Sequence, residues 1–233
     1  MAASGRTAKS RKPAAAFASG LVLAGGQSRR FGQDKALLRL GSETLLERTI
    51  HALLTVTREI VVVGPRTGLV LPSRVRAVPD ELPGAGPLVA LFTGLRACRY
   101  PLAAVVSCDL PFLSPALIAY LLHAAQDSDA VVPRVGGRLE PLHAVYSKTC
   151  IPALSALVES GARDAVRLVE SGALKHVKIV PEEELSAVDP GLLSFFNLNT
   201  QDDLLRARHL LSEGQREGLE TETVVTPAPE VPE

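Results

Sequence analysis

The chain is short of cysteine, of net charge and of long apolar runs. Its 233 residues include three cysteines, Cys98, Cys108 and Cys150. They form no CxxC pair and no ligand-like cluster, which argues against a zinc site or a disulfide framework. Their apolar flanks are those of buried thiols, and a reducing, cytoplasmic setting is expected. Twenty-five basic residues balance 25 acidic ones, so no global field draws the protein to nucleic acid or to an anionic membrane. Any anionic ligand must be met by local charge. No stretch approaches the roughly 20 apolar residues needed to cross a bilayer. Ala14 to Ala16 is too short for the apolar centre of a signal peptide, and a soluble protein is expected. The GxxxxGK[ST] and GxGxxG phosphate motifs are missing, as is HExxH, and no order of serine, histidine and aspartate compels a hydrolytic triad.

What is present suffices for one substantial core: 46% of the residues are hydrophobic, and no internal linker interrupts the pattern. A single domain is expected over residues 17–212. The polar residues 1–16 and the Pro/Glu/Thr-rich residues 213–233 are expected to be disordered tails. Short apolar runs predict strands at 20–23, 60–63, 75–78, 103–107, 130–133, 142–146 and 177–180. These runs do not alternate cleanly between apolar and polar, as expected of strands covered on both faces. Between them lie helical stripes: Leu46, Ile50, Leu53 and Leu54; Leu88, Leu91 and Leu95; and Ile118, Leu121 and Leu122, opened by Ser114-Pro115. Thr200 to Asp203 resembles a capping box at the head of a further helix. The order predicts a three-layer, Rossmann-like α/β fold with a mainly parallel central sheet. Ligands of such sheets collect beyond the carboxyl ends of the strands.

The candidate site residues fall at those ends. Leu23-Ala24-Gly25-Gly26 follows the first strand, and Arg29, Arg30 and Lys35 come next. Adjacent glycines let backbone N–H groups approach phosphate oxygens, while the cations neutralise the remaining charge; a purely geometric turn is the competing reading. Asp109 follows the run 103–107, where its carboxylate suits magnesium or a cap on a nearby amide. Lys35 suits phosphate, or charge balance with Asp34. Asp80 leads into Gly84-Ala-Gly86-Pro87, a turn with room for a purine or merely the entry to a helix. Asn197 and Asn199 share a face if their segment is extended. His143 suits either an anionic second substrate or a buried, hydrogen-bonded position.

Together, Leu23-Ala-Gly-Gly-Gln-Ser-Arg-Arg-Phe-Gly-Gln-Asp-Lys35, Asp80 with Gly86-Pro-Leu88, Cys108-Asp-Leu-Pro111 and Asn197-Leu-Asn-Thr200 resemble the molybdenum cofactor guanylyltransferase (MobA) family over residues 18–211. The resemblance implies a nucleotidyltransferase fold and transfer of GMP from GTP to molybdenum-bound molybdopterin, with release of pyrophosphate. It implies catalytic roles for Arg29, Lys35 and Asp109, with magnesium (Mg2+) on Asp109. It implies nucleotide contacts from Leu23, Ala24, Gly25, Gly26 and Asp80, and acceptor contacts from Asn197 and above all Asn199, with the region of Glu140 to His143 in the same pocket. A cofactor-delivery protein or molybdoenzyme chaperone is an implied partner. One departure is Gly64, where some members place an asparagine after the second strand. The rivals are a cytidylyltransferase, whose first loop tends toward Ala-Ala-Gly, and a non-catalytic nucleotide-binding regulatory protein.

Overall fold

Every residue of the first strand, β1 (Ala18–Leu23), is buried, and so is every residue of β4 (Glu59–Val63). Runs apolar on both faces require cover on both, and the sheet supplies it. The computed structural model describes residues 18–25, 34–65, 70–80, 82 and 84–222, with side chains to 213. After β1 come a short hairpin, β2 (Arg39–Leu40) and β3 (Glu43–Thr44), and then helix α1 (Leu45–Leu54). Strands β4 and β5 (Val75–Val78) lead to α2 (Pro87–Ala97), β6 (Leu102–Ser107) and α3 (Pro115–Ala124). Next are β7 (Ala130–Val135), β8 (Arg138–Leu139), β9 (His143–Ser147), α4 (Ile151–Glu159) and α5 (Val166–Glu170). The chain closes with β10 (Val177–Val180), α6 (Glu182–Ser186) and α7 (Gln201–Glu222).

The sheet order is β10-β7-β9-β6-β1-β4-β5, with β8 paired to β7. β1 runs parallel to β4 and β6, β4 to β5, and β7 to β10, while β9 is antiparallel to β6 and β7. This is the mainly parallel Rossmann-like sheet expected.

Two cores occupy its two faces. Val22, Val62, Val106 and Val145 pack beneath α1, α3 and α6 through Ile50, Leu117, Leu121 and Leu185. Leu21, Val61, Val105 and Tyr146 pack beneath α2, α4 and α5 through Leu91, Leu154 and Leu168. The expected caps form: Ser114 Oγ accepts from the Leu117 N–H at 3.3 Å, Thr200 Oγ1 accepts from the Asp203 N–H at 3.1 Å, and Asp203 Oδ2 accepts from the Thr200 N–H at 2.8 Å. A further capping box, not foreseen, joins Thr44 and Glu47 on α1.

A third, smaller core was not foreseen. Leu38, Leu40, Leu45, Leu198, Leu204 and Ala207 join the hairpin to the start of α7. It places the chain just after Lys35 against the chain carrying Asn199. The α7 backbone runs on through Glu222. No helix among the described residues is long and apolar enough to cross a membrane.

Candidate active site

The carboxyl ends of β1, β4 and β5 meet in two glycines and a carboxylate. The Ala24 N–H donates to the Val63 carbonyl at 3.0 Å and the Leu23 carbonyl accepts from the Cys108 N–H at 3.3 Å, which ties the start of the Gly-rich loop to both neighbouring strands. Leu23 and Ala24 are thereby buried anchors, whereas Gly25 is exposed. A Cβ on Gly25 would lie 3.7 Å from both Asp80 Oδ2 and Gly64 Cα. Gly64 has φ +67°, and a Cβ there would come within 3.1 Å of Gly25 Cα. Asparagine tolerates that left-handed region better than other side chains do, but glycine lets the two turns touch. Asp80 Oδ1 accepts from the Leu82 N–H at 3.3 Å and leaves Oδ2 on the Gly25 side.

About ten ångströms of sheet edge separate adjacent-but-one strands, and beyond β6 lies the second half of the site. Ser107 Oγ donates to Asp109 Oδ1 at 2.5 Å, and Lys35 Nζ donates to Asp109 Oδ2 at 3.3 Å. The same ammonium donates to Asn199 Oδ1 at 2.8 Å. The Leu198 N–H donates to the Asp109 carbonyl at 3.0 Å. Burial alternates through Asn197 (exposed), Leu198 (buried) and Asn199 (exposed), so the two amides do share a face. Asp34 Oδ1 accepts from the Ala36 N–H at 3.0 Å, capping the 3-10 turn that presents Lys35. Lys35, Asp109 and Asn199, chosen separately from sequence, are thus one hydrogen-bonded group. Gly26, Arg29 and Arg30 lie outside the described residues.

Among the described residues, no group of three or more His, Cys, Asp or Glu side chains is placed to hold a metal. Asp109 is the carboxylate at this edge that could contribute to holding magnesium. Magnesium commonly takes one or two carboxylates and completes its shell with substrate phosphates and water, and Asp109 already faces a cation through Oδ2.

Residues 20–177 match the family model of the MobA-like NTP transferase domain. The chain belongs to the MobA-like NTP transferase family. It is 39% identical over 201 residues to a probable molybdenum cofactor guanylyltransferase of Pelotomaculum thermopropionicum, covering 86% of this chain and 96% of that one. Among solved structures it is similar to molybdopterin-guanine dinucleotide biosynthesis protein A from Archaeoglobus fulgidus, with TM-score 0.69, 26% identity, and 84% and 99% of the two chains covered. It is also similar to 2-C-methyl-D-erythritol 4-phosphate cytidylyltransferase from Thermus thermophilus, with TM-score 0.63, 25% identity, and 84% and 98% covered. The protein is a nucleotidyltransferase enzyme of the MobA-like family.

Two contributors to this MobA-like site escaped the sequence reading. Ser107 stands two residues before Asp109, and the Ser-x-Asp spacing was its available signal. The Arg163 carbonyl accepts from the Leu88 N–H at 3.0 Å and so caps α2. A Cβ on Gly86, φ +103°, would lie 2.8 Å from that oxygen, so glycine is required where the loop before α5 closes on the Asp80 turn. No local pattern announces such a contact.

His143 is buried, as one of the two readings expected, but without the hydrogen bond that this reading included. It is 1% exposed, it stacks on Phe195 with ring centroids 4.4 Å apart, and neither ring nitrogen has a hydrogen-bond partner. Burial pulls its pKa from the usual 6.5 to about 4, weakly opposed by the nearby Ser194 backbone. The folded state therefore takes up its proton later than the unfolded state as pH falls. Stability is full above about pH 6.5 and is lost progressively toward pH 4, by about 3 kcal/mol from this group. His143→Leu should remove that part of the slope. Urea unfolding at pH 7, 6 and 5 checks it: the variant must gain relative to the parent at low pH, and parallel curves contradict the assignment.

Proposed function

We propose that the enzyme transfers GMP from GTP to molybdenum-bound molybdopterin, forming the guanine dinucleotide cofactor and pyrophosphate. The observation that carries this reading is the grouping of Lys35, Asp109 and Asn199 at the strand edge that also bears Gly25 and Asp80. One side of that edge suits a triphosphate, and the other offers amides to a second substrate.

A phosphate oxygen of the acceptor attacks the α-phosphorus of GTP. The bond from that phosphorus to the bridging oxygen breaks, and pyrophosphate leaves in line, with no covalent enzyme intermediate. The backbone at Gly25 and Gly26 approaches the phosphates, and Lys35 and Arg29 offset the charge that develops on them. Asp109 would hold magnesium, which would supply Lewis-acid neutralisation of phosphate charge there. Asp80 lies on the nucleotide side, and Asn197 and Asn199 on the acceptor side.

Guanine is favoured over cytosine by the name of the Pelotomaculum relative and by the Ala24-Gly25-Gly26 loop. The likeness to a cytidylyltransferase makes CTP the competitor to test, since base choice turns on a few hydrogen bonds. With equal GTP and CTP, magnesium and one pool of molybdenum-loaded molybdopterin, the guanine product should exceed the cytosine product by about tenfold or more. A cytosine product in excess, or no dinucleotide and no pyrophosphate, overturns the reading. A cytoplasmic location accords with three free, buried thiols. Handover of the product to a cofactor-delivery protein or molybdoenzyme chaperone belongs to the same reading, since free cofactor is a poor diffusible intermediate.

A further inference from the structure

We infer that Lys35 is a positioning residue for the second substrate as well as a counter-ion for phosphate, because it fixes which edge of the Asn199 carboxamide faces the acceptor. The inference rests on the proposed function for the identity of that acceptor. An ammonium group only donates hydrogen bonds, so the atom of Asn199 that it grips is the oxygen. That contact, at 2.8 Å, turns the Nδ2 amide group to the opposite edge. The side chain is then a directed donor suited to an anionic oxygen.

The rest of Asn199 is already held. Its backbone N–H and that of Thr200 both donate to Asp203 Oδ2, at 2.9 and 2.8 Å. Both of these backbone donors at the head of α7 are therefore spent on the cap, and the side-chain amide is the donor left to Asn199. Leu198, fully buried in the third core, ties its N–H to the Asp109 carbonyl at 3.0 Å. Backbone position is thus set by the cap and the core, while side-chain rotation is set by Lys35. Residues 164 positions apart close a ring: Asp109 to Lys35, Lys35 to Asn199, and Leu198 back to Asp109. The nucleotide side and the acceptor side share one cation, which sets the register between the attacking oxygen and the α-phosphorus.

A counter-ion acting only on GTP would not couple to Asn199. The test is a double-mutant cycle read by equilibrium binding rather than turnover. The probes are metal-free molybdopterin under anaerobic conditions and, separately, a non-hydrolysable GTP analogue. Lys35→Met and Asn199→Ala should each weaken molybdopterin binding by about tenfold, and the double variant by about the same factor rather than about a hundredfold. Asn199→Asp keeps an oxygen for Lys35 and removes the NH2 group, and should bind molybdopterin no better than Asn199→Ala. Only the Lys35 variants should lose affinity for the GTP analogue. Lys35→Leu, which likewise carries no donor, serves in place of Lys35→Met should the latter not fold by thermal unfolding. Unchanged molybdopterin binding in the Lys35 variants, or losses that multiply, overturns the inference while leaving the proposed function intact. Failure of the unaltered protein to bind molybdopterin overturns both.

Discussion

Asp109→Asn is expected to slow nucleotidyl transfer by about 100-fold or more while the protein stays folded. The replacement is nearly isosteric and can still accept the Ser107 hydroxyl, so the turn after β6 survives. Its charge does not. The carboxylate is the negative partner of the Lys35 ammonium and, in the proposed function, of the metal, for which an amide would be a poor ligand. The loss should fall on kcat more than on unfolding midpoint, as charge stabilised in the transition state requires. Transfer at the parent rate by folded Asp109→Asn would remove the metal role from this residue.

Glu59→Ala should be the most damaging single change to the fold, at about 3–5 kcal/mol, which for a chain of this size lowers Tm by roughly 10 °C. Glu59 lies at the amino end of β4, far from the reacting edge, and is 6% exposed. Its Oε1 accepts from Ser19 Oγ at 2.8 Å and from the Arg99 N–H at 2.6 Å. Its Oε2 has the guanidinium groups of Arg76 and Arg99 each at 3.6 Å, within ion-pair range but beyond a hydrogen bond. Arg76 also donates to the Ala97 carbonyl at the end of α2. One carboxylate therefore joins β1, β4, β5 and the α2–β6 connection. Removing it strands a buried hydroxyl, a backbone N–H and a half-buried guanidinium together. Glu59→Gln keeps an acceptor for Ser19 and Arg99 and should cost less. Thermal and urea unfolding of both variants checks the order, and a loss under about 1 kcal/mol for Glu59→Ala would show that solvent replaces these partners.

The strands β1, β4 and β6 were legible because burial on both faces writes an uninterrupted apolar run into the sequence. The α1, α2 and α3 stripes were legible because each helix buries one side. The hairpin β2–β3 has two residues in each strand, too few to show an alternation. Helices α5 and α6, five residues each, span little more than one turn, and no stripe can form over that length. In α4 only Leu154 is buried, so no periodic face stands out there either.

For the site, local chemistry pointed to Lys35, Asp80, Asp109 and Asn199 singly. Their convergence came from sheet order and from the third core, neither of which is encoded near any of them. Ser107 was overlooked because a serine ending a strand is ordinary. The solitary state of His143 depends on what Phe195 and Ser194 bring over it from a distant part of the chain. Gly64, noted from sequence only as a missing amide, proves to be the point where two strand-end turns come into contact.

The central claim is that Asp109, Lys35 and the Gly25 turn surround one metal-bound triphosphate. A crystal structure with manganese and a non-hydrolysable GTP analogue tests it directly, because the anomalous signal of manganese locates the ion independently of the nucleotide. The account predicts manganese coordinated by the Asp109 carboxylate, with phosphates between it and the Gly25 backbone and with Lys35 on a phosphate oxygen. Nucleotide and manganese bound on another surface, with Asp109 uninvolved, would contradict it.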